Sequence, residues 1–197
     1  MKLSKVVFCL ALIPTFNLMA ALPASQQQFF ESVKAHCGKA FAGKVIKSNA
    51  SDNDMLNQSL VMHVRECTDT VIKVPFHIGD DHSRTWVISK TNKGLELKHD
   101  HRHQDGSADQ ITMYGGHSVD AGTNTSQSFP ADQYSKDMFA ANSMNASSGN
   151  TWLVEIIPQK LYRYGLKRQG REFMVEFDLT KPVALPPTPW GHPALSE

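Results

Sequence analysis

The chain has 197 residues, 41% of them hydrophobic, and its 20 Lys and Arg side chains stand against 19 Asp and Glu. This length suffices for one domain with a full hydrophobic core. The charges of both signs are scattered along the chain, whereas a nucleic-acid surface needs clustered Lys and Arg. We therefore expect no nucleic-acid partner.

Residues 1–21 have the pattern of a secretory signal peptide. Two lysines precede an apolar run over 6–19, and small residues follow at Ala20 and Ala21. A bilayer-spanning helix needs about 20 apolar residues, so this run is short for a membrane anchor, which is the alternative interpretation. We expect cleavage near Ala20 or Ala21, a secreted or periplasmic protein, and no stable membrane insertion after cleavage.

Two cysteines, Cys37 and Cys67, lie outside this segment. In an oxidising compartment such a pair is more often bridged than free. The sequence therefore predicts a disulfide, which would stabilise the fold by about 3–4 kcal/mol on the chain-entropy model. Two buried free thiols are the alternative.

The first element after the signal peptide is a predicted helix within residues 25–37. Phe29, Phe30 and Val33 recur there at helical spacing, which is typical of an amphipathic helix with one buried face. Ser25 is suited to cap its start.

From residue 41 onward the pattern is that of strands. Short segments rich in β-branched and aromatic residues alternate with turn residues, and side chains of one type recur at every second position. This pattern predicts an all-β domain over 25–185, an antiparallel up-and-down barrel of about 8–10 strands, with a sandwich as the alternative. A short helix or lid is predicted near 130–142. A proline-rich extended tail at 186–197 is expected to lie over the domain surface.

An Asp-Gly pair at 105 and 106 lies between two strand-like segments. This dipeptide is typical of a two-residue type I′ hairpin turn. In that register Arg102 lies opposite Asp109, as an exposed ion pair. The charges beside this pair require water, so the other face of the hairpin is predicted to point into the barrel.

Three histidines occupy alternate positions on this inner face. A polar inner face is costly unless it is hydrogen-bonded or meets a ligand, so it suits a binding cavity better than a dry core. The predicted cavity wall also includes large aromatic and polar side chains from this hairpin and from later strands. Its members are His99, His101, His103, Gln110, Thr112, Tyr114, Trp152, Tyr162 and Tyr164.

Besides a cavity for an organic ligand, three interpretations of this histidine face remain open. Imidazoles two residues apart on a strand can bind one ion, so His99, His101 and His103 are a candidate site for a divalent metal or haem. A cavity histidine could instead act as a general acid–base in an enzyme. The third alternative is a hydrogen-bonded or solvated strand end without a ligand.

In the order of its elements the chain resembles the lipocalin-like (calycin) group of small secreted β-barrels. The shared features are an N-terminal helix, about eight antiparallel strands and an extended closing segment. FAGKVIK at 41–47 stands where these proteins carry their G-x-W motif, and it has no tryptophan. The resemblance implies a cavity for a small, mostly apolar ligand. We therefore expect an exported ligand-binding barrel rather than an enzyme.

Overall fold

The computed structural model describes residues 21–49 and 53–195. All but the last residue of the predicted signal peptide therefore lies outside the described residues. The described ranges contain three helices and one 3-10 turn. The helices are α1 (Ala24–Lys34), α2 (Asn53–Leu56) and α3 (Gln133–Ala141), and the 3-10 turn is Asn145–Gly149.

Eleven strands in the described ranges form one antiparallel sheet. They are β1 (Lys39–Lys47), β2 (Leu60–Val64), β3 (Glu66–Cys67), β4 (Val71–Ile78), β5 (Asp81–Thr91), β6 (Gly94–His101), β7 (Tyr114–His117), β8 (Ser126–Pro130), β9 (Thr151–Ile157), β10 (Leu161–Arg168) and β11 (Arg171–Val183). The strand order is β7-β6-β5-β4-β2-β1-β11-β10-β9-β8, with β3 beside β4. Nearly all neighbours are consecutive in the chain, which is the up-and-down connectivity.

The sheet curls into a nearly closed barrel whose seam lies between β7 and β8. The Asp132 amide donates to the Gly115 carbonyl at 2.8 Å, which ties the two edges together. A side chain at Gly116 would place its Cβ 2.0 Å from the Pro130 carbonyl oxygen. Only glycine therefore permits this approach. The all-β class, the antiparallel barrel, the N-terminal helix and the helix near 130–142 are confirmed.

Helix α1 closes one end of the barrel. Its Phe29, Phe30 and Val33 are fully buried in the core, as their helical spacing predicts. The predicted disulfide between Cys37 and Cys67 is confirmed. It joins the chain just after α1 to β3. The helix that closes the end of the barrel is therefore covalently linked to a strand of the sheet.

The hairpin after β6 differs from the prediction. His103 exchanges hydrogen bonds with Ser107 and Gly106, and Arg102 pairs with Ala108 rather than with Asp109. Gly106 has a φ of 86°, whereas Asp105 is not among the residues with positive φ. This geometry is a three-residue loop with glycine in the left-handed position, not a type I′ turn. The predicted Arg102–Asp109 pair is therefore wrong, and Arg102 donates to Asp100 at 2.8 Å.

The segment after β11 crosses the outer face of β4–β6. The Trp190 amide donates to the His82 carbonyl at 3.0 Å, and the Arg65 guanidinium donates to the Pro193 carbonyl. The His192 ring lies 3.6 Å from carboxylate oxygens of Asp100 and Glu66. We call residues 184–195 the strap. It buries polar side chains on the outside of the barrel.

Candidate functional site

A cleft of about 470 Å³ lies at the end of the barrel opposite α1, and a smaller pocket of about 130 Å³ adjoins it. The cleft lies between the hairpin after β6, helix α3, and strands β9–β11. The cleft and the pocket share five lining residues: His101, Tyr114, Tyr164, Leu166 and Arg171. Known ligand sites have volumes of about 300–1,000 Å³, so the cleft is large enough for a small organic molecule.

His99 is the most deeply buried polar side chain of this site, with 2% of its surface exposed. Its Nδ1 lies 2.9 Å from the Tyr114 carbonyl, and its Nε2 lies 2.7 Å from the Tyr164 hydroxyl. A carbonyl can only accept, so Nδ1 carries the proton and Nε2 accepts from Tyr164. Burial lowers the pKa of His99 to about 3. Both hydrogen bonds therefore hold a neutral ring in one tautomer.

His101 lies nearer the mouth and is half-buried. Its Nε2 is hydrogen-bonded to the Tyr114 hydroxyl at 3.0 Å. Burial and then the positive charge of Arg84 lower the pKa of His101 to about 4, although Asp109 opposes the shift. Burial also raises the pKa of Tyr114 to about 12. At pH 7 both groups are therefore neutral, and they present polar atoms without charge to the cleft.

Aromatic rings pack around these hydrogen bonds. The Tyr114 ring stacks on His99 with centroids 4.5 Å apart, and Trp152 lies 4.9 Å from His99. Tyr164 stacks on Trp86 at 4.2 Å. Such contacts fix each ring, so the shape of the cleft is set before any ligand arrives.

The structure brings together most, but not all, of the residues that the sequence predicts for the cavity. His99, His101, Tyr114, Trp152 and Tyr164 surround the cleft and its adjoining pocket. Tyr162 is 1% exposed and lies deeper in the barrel, edge-on to Phe177.

The remaining predicted side chains lie outside the cleft. His103 and Gln110 are exposed because the three-residue loop ends the pairing that would turn them inward. Thr112 accepts a hydrogen bond from the His101 amide at 2.8 Å, so it positions that strand instead of lining the cleft.

The three alternating histidines do not converge. His103 is at the exposed hairpin loop, and both ring nitrogens of His99 are already hydrogen-bonded. Within the described part of the chain, no group of three or more His, Cys, Asp or Glu side chains is arranged to hold a metal ion.

Sequence reasoning missed the charged side chains of the mouth. Arg168 and Arg171 line the cleft from both sides of the β10–β11 turn, and Arg84 lines the adjoining pocket. Their signal is visible in the strand alternation. Arg168 lies four residues after Tyr164 on β10, and Arg84 lies two residues before Trp86 on β5. Side chains at even spacing share one face of a strand, so alternation predicts that both arginines point inward.

Asp109 and Ile111 also line the cleft. The predicted register placed Asp109 on the outer face, opposite Arg102, and Ile111 two residues later has the same orientation in that register. Residues 109–113 form no strand: the backbone bends at several positions there, and Met113 has a φ of 55°. This interruption breaks the alternation from which their orientation was inferred.

Comparison of the chain with family models, with curated proteins and with solved structures gives no match. The nearly closed antiparallel barrel is consistent with the lipocalin-like shape, and the cleft must be interpreted from its own chemistry. None of the helices within residues 21–49 and 53–195 is long and apolar enough to cross a membrane.

Proposed function

We propose that this protein is an exported barrel that binds a small organic ligand in the cleft opposite α1. The observation that carries the proposal is the chain of buried hydrogen bonds from Tyr164 through His99 to the Tyr114 backbone. It lies at the wall of the pocket that adjoins the cleft. The joint lining combines aromatic and apolar side chains such as Phe139, Trp152 and Leu166 with fixed polar and charged ones. A concavity with apolar walls and polar groups that orient the bound molecule is typical of ligand sites.

Export is supported by two independent features. The N-terminal segment has the composition of a signal peptide, and the Cys37–Cys67 bridge is the kind of bond that persists in oxidising compartments.

An acid–base enzyme is the weaker alternative. A general base works best when its pKa lies near the working pH. The pKa values of His99 and His101, at about 3 and about 4, are far below neutrality. A metal or haem carrier is also weaker, because binding at His99 would have to break one of its two buried hydrogen bonds.

The test introduces a large side chain that fills the cleft. Leu166 lines both the cleft and its adjoining pocket, whereas Leu153 lies on the outer face of neighbouring β9. We expect N-phenylnaphthylamine (NPN), a neutral fluorescent probe, to bind the native protein and Leu153→Trp but not Leu166→Trp. Near-ultraviolet circular dichroism verifies that both variants are folded. Failure of NPN to bind the native protein, or equal binding to both variants, would contradict the proposed site.

A further inference from the structure

Two buried histidines are neighbours on the outer face of the barrel. Met62 on β2 and Phe76 on β4 belong to the core, so the next residues, His63 and His77, point to the other side of the sheet. Both are buried there, with 3% and 2% of their surface exposed. Val61 lies directly opposite His77 in the sheet, and His63 follows Val61 by two residues on the same face. Residues in this diagonal relation are about 7–8 Å apart, within reach of a common partner.

Each of these rings has one buried nitrogen that is not satisfied by the described residues. The Nε2 atoms of His63 and His77 are out of contact with solvent, and neither has a hydrogen-bond partner within residues 21–49 and 53–195. A buried polar atom without a partner costs about 1–3 kcal/mol. Two such atoms on neighbouring strands favour a shared partner from outside the chain.

The other nitrogen of His77 is held by His82. The two Nδ1 atoms are 2.8 Å apart, and the His82 ring lies edge-on to Trp190 of the strap. When His77 donates through Nδ1, its Nε2 carries a lone pair that can bind a ligand. The two nitrogens of an imidazole point away from each other, so this lone pair is directed away from His82. Metal-binding histidines usually donate their other ring N–H to a fixed acceptor in this way.

We infer that His63 and His77 bind one divalent transition-metal ion through their Nε2 atoms, and that His82 orients the His77 ring. Imidazole is a suitable ligand for copper, zinc and nickel, and water takes the remaining coordination positions. The site has two protein ligands, so it agrees with the absence of a three-residue metal group in the described part of the chain. It lies on the outer face of the sheet and is therefore separate from the proposed ligand cleft.

The electrostatic surroundings are compatible with such an ion. Burial, followed by the charges of His82 and His63, lowers the pKa of His77 to about 4, and burial also lowers the pKa of His63. At pH 7 both rings are therefore neutral, which is the form that binds metals. Arg65, two residues after His63, is a cation, but its guanidinium is paired with Glu66 at 2.6 Å.

The test titrates the purified protein with Cu²⁺ at pH 7 by isothermal titration calorimetry. His63→Gln and His77→Gln should each weaken the tightest Cu²⁺ site at least about tenfold, because even the loss of a group that orients a ligand costs about 10–100-fold. His82→Phe keeps an aromatic ring beside Trp190 but removes the acceptor, so it should weaken binding about tenfold. His103→Gln, in the exposed hairpin loop, is the control and should behave as the native protein.

Electron paramagnetic resonance of the Cu²⁺ complex should show hyperfine splitting from two coordinated nitrogens. This measurement uses the native protein, so it remains decisive if a variant fails to fold. The inference is overturned if the native protein binds no Cu²⁺, if the spectrum shows a single nitrogen, or if His63→Gln and His77→Gln bind as the native protein does. None of these results affects NPN binding in the cleft, so the proposed function is tested separately.

Discussion

Tyr164 is the residue that holds the buried His99 ring in place, through its hydroxyl group. It donates to His99 Nε2 at 2.7 Å. Its neighbour Tyr162, two residues earlier on the same strand, is also buried, but its hydroxyl has no hydrogen-bond partner among the described residues. The two tyrosines therefore form a matched pair for measuring the value of one buried hydrogen bond.

We predict that Tyr164→Phe lowers the free energy of unfolding by about 1–3 kcal/mol, because it leaves the His99 nitrogen buried and unsatisfied. Tyr162→Phe should be neutral or slightly stabilising, since it removes an unpartnered polar atom. Urea unfolding at pH 7 measures both. Equal losses for the two variants would show that the Tyr164–His99 bond contributes nothing specific.

The hairpin loop after β6 is the element that links the cleft to the strap. Gly106 takes a φ of 86°, and a Cβ there would lie 3.1 Å from the Cα of Gly191 in the strap. The inner side of the same hairpin carries His99 and His101. The strap therefore packs on the outer side of β6, and the inner side of the same strand borders the site.

We predict that Gly106→Ala lowers the free energy of unfolding by about 1–2 kcal/mol, the usual cost of a side chain in left-handed backbone. The control is Gly149→Ala, where φ is not positive and no atom lies within 4 Å of the added Cβ. That change should fall within about 0.5 kcal/mol of the native protein. Thermal melting compares the two, and an unchanged melting temperature for Gly106→Ala would contradict the loop geometry.

At the scale of the whole molecule, buried neutral histidines on both faces of the barrel should make its stability depend on pH. His99 and His101 lie inside, with pKa values lowered to about 3 and about 4. His77 lies outside β4 and is buried, and its ring meets His82, which packs against Trp190 of the strap. Burial, followed by the neighbouring His82 and His63, lowers the pKa of His77 to about 4.

The direction of this pH dependence of stability follows from proton linkage. Below about pH 6.5 the unfolded chain binds protons on these histidines while the folded chain does not, so acid favours unfolding. The stabilisation is complete above pH 6.5 and is lost progressively toward pH 4. Between pH 7 and pH 5 we predict that the free energy of unfolding falls by about 1–2 kcal/mol for each of these rings.

Urea unfolding at both pH values provides the measurement. Replacing His101 with Gln should reduce this pH dependence, whereas replacing the exposed His103 with Gln should leave it as in the native protein. An identical pH dependence in the native protein and the His101 variant would contradict the burial of that ring.

The sequence by itself determined the features that depend on local pattern. Alternating apolar residues specify which face of a strand is buried, because side chains point to opposite faces at every step. Strands with closely spaced turns therefore predicted the antiparallel barrel, and the helical spacing of Phe29, Phe30 and Val33 predicted α1. The disulfide followed from the two cysteines, Cys37 and Cys67, that lie outside the predicted signal peptide.

Only the tertiary structure decided which side chains meet in the site. His99 and Tyr164 are 65 residues apart, and no local pattern encodes a hydrogen bond across the barrel. The turn type was misread because Asp-Gly fits both a two-residue and a three-residue loop, and the three-residue loop pairs Arg102 with Ala108 instead of Asp109. The three-residue loop leaves His103 and Gln110 exposed. The cleft itself exists only because the closing sheet brings the hairpin after β6 and the strands β9–β11 around one space.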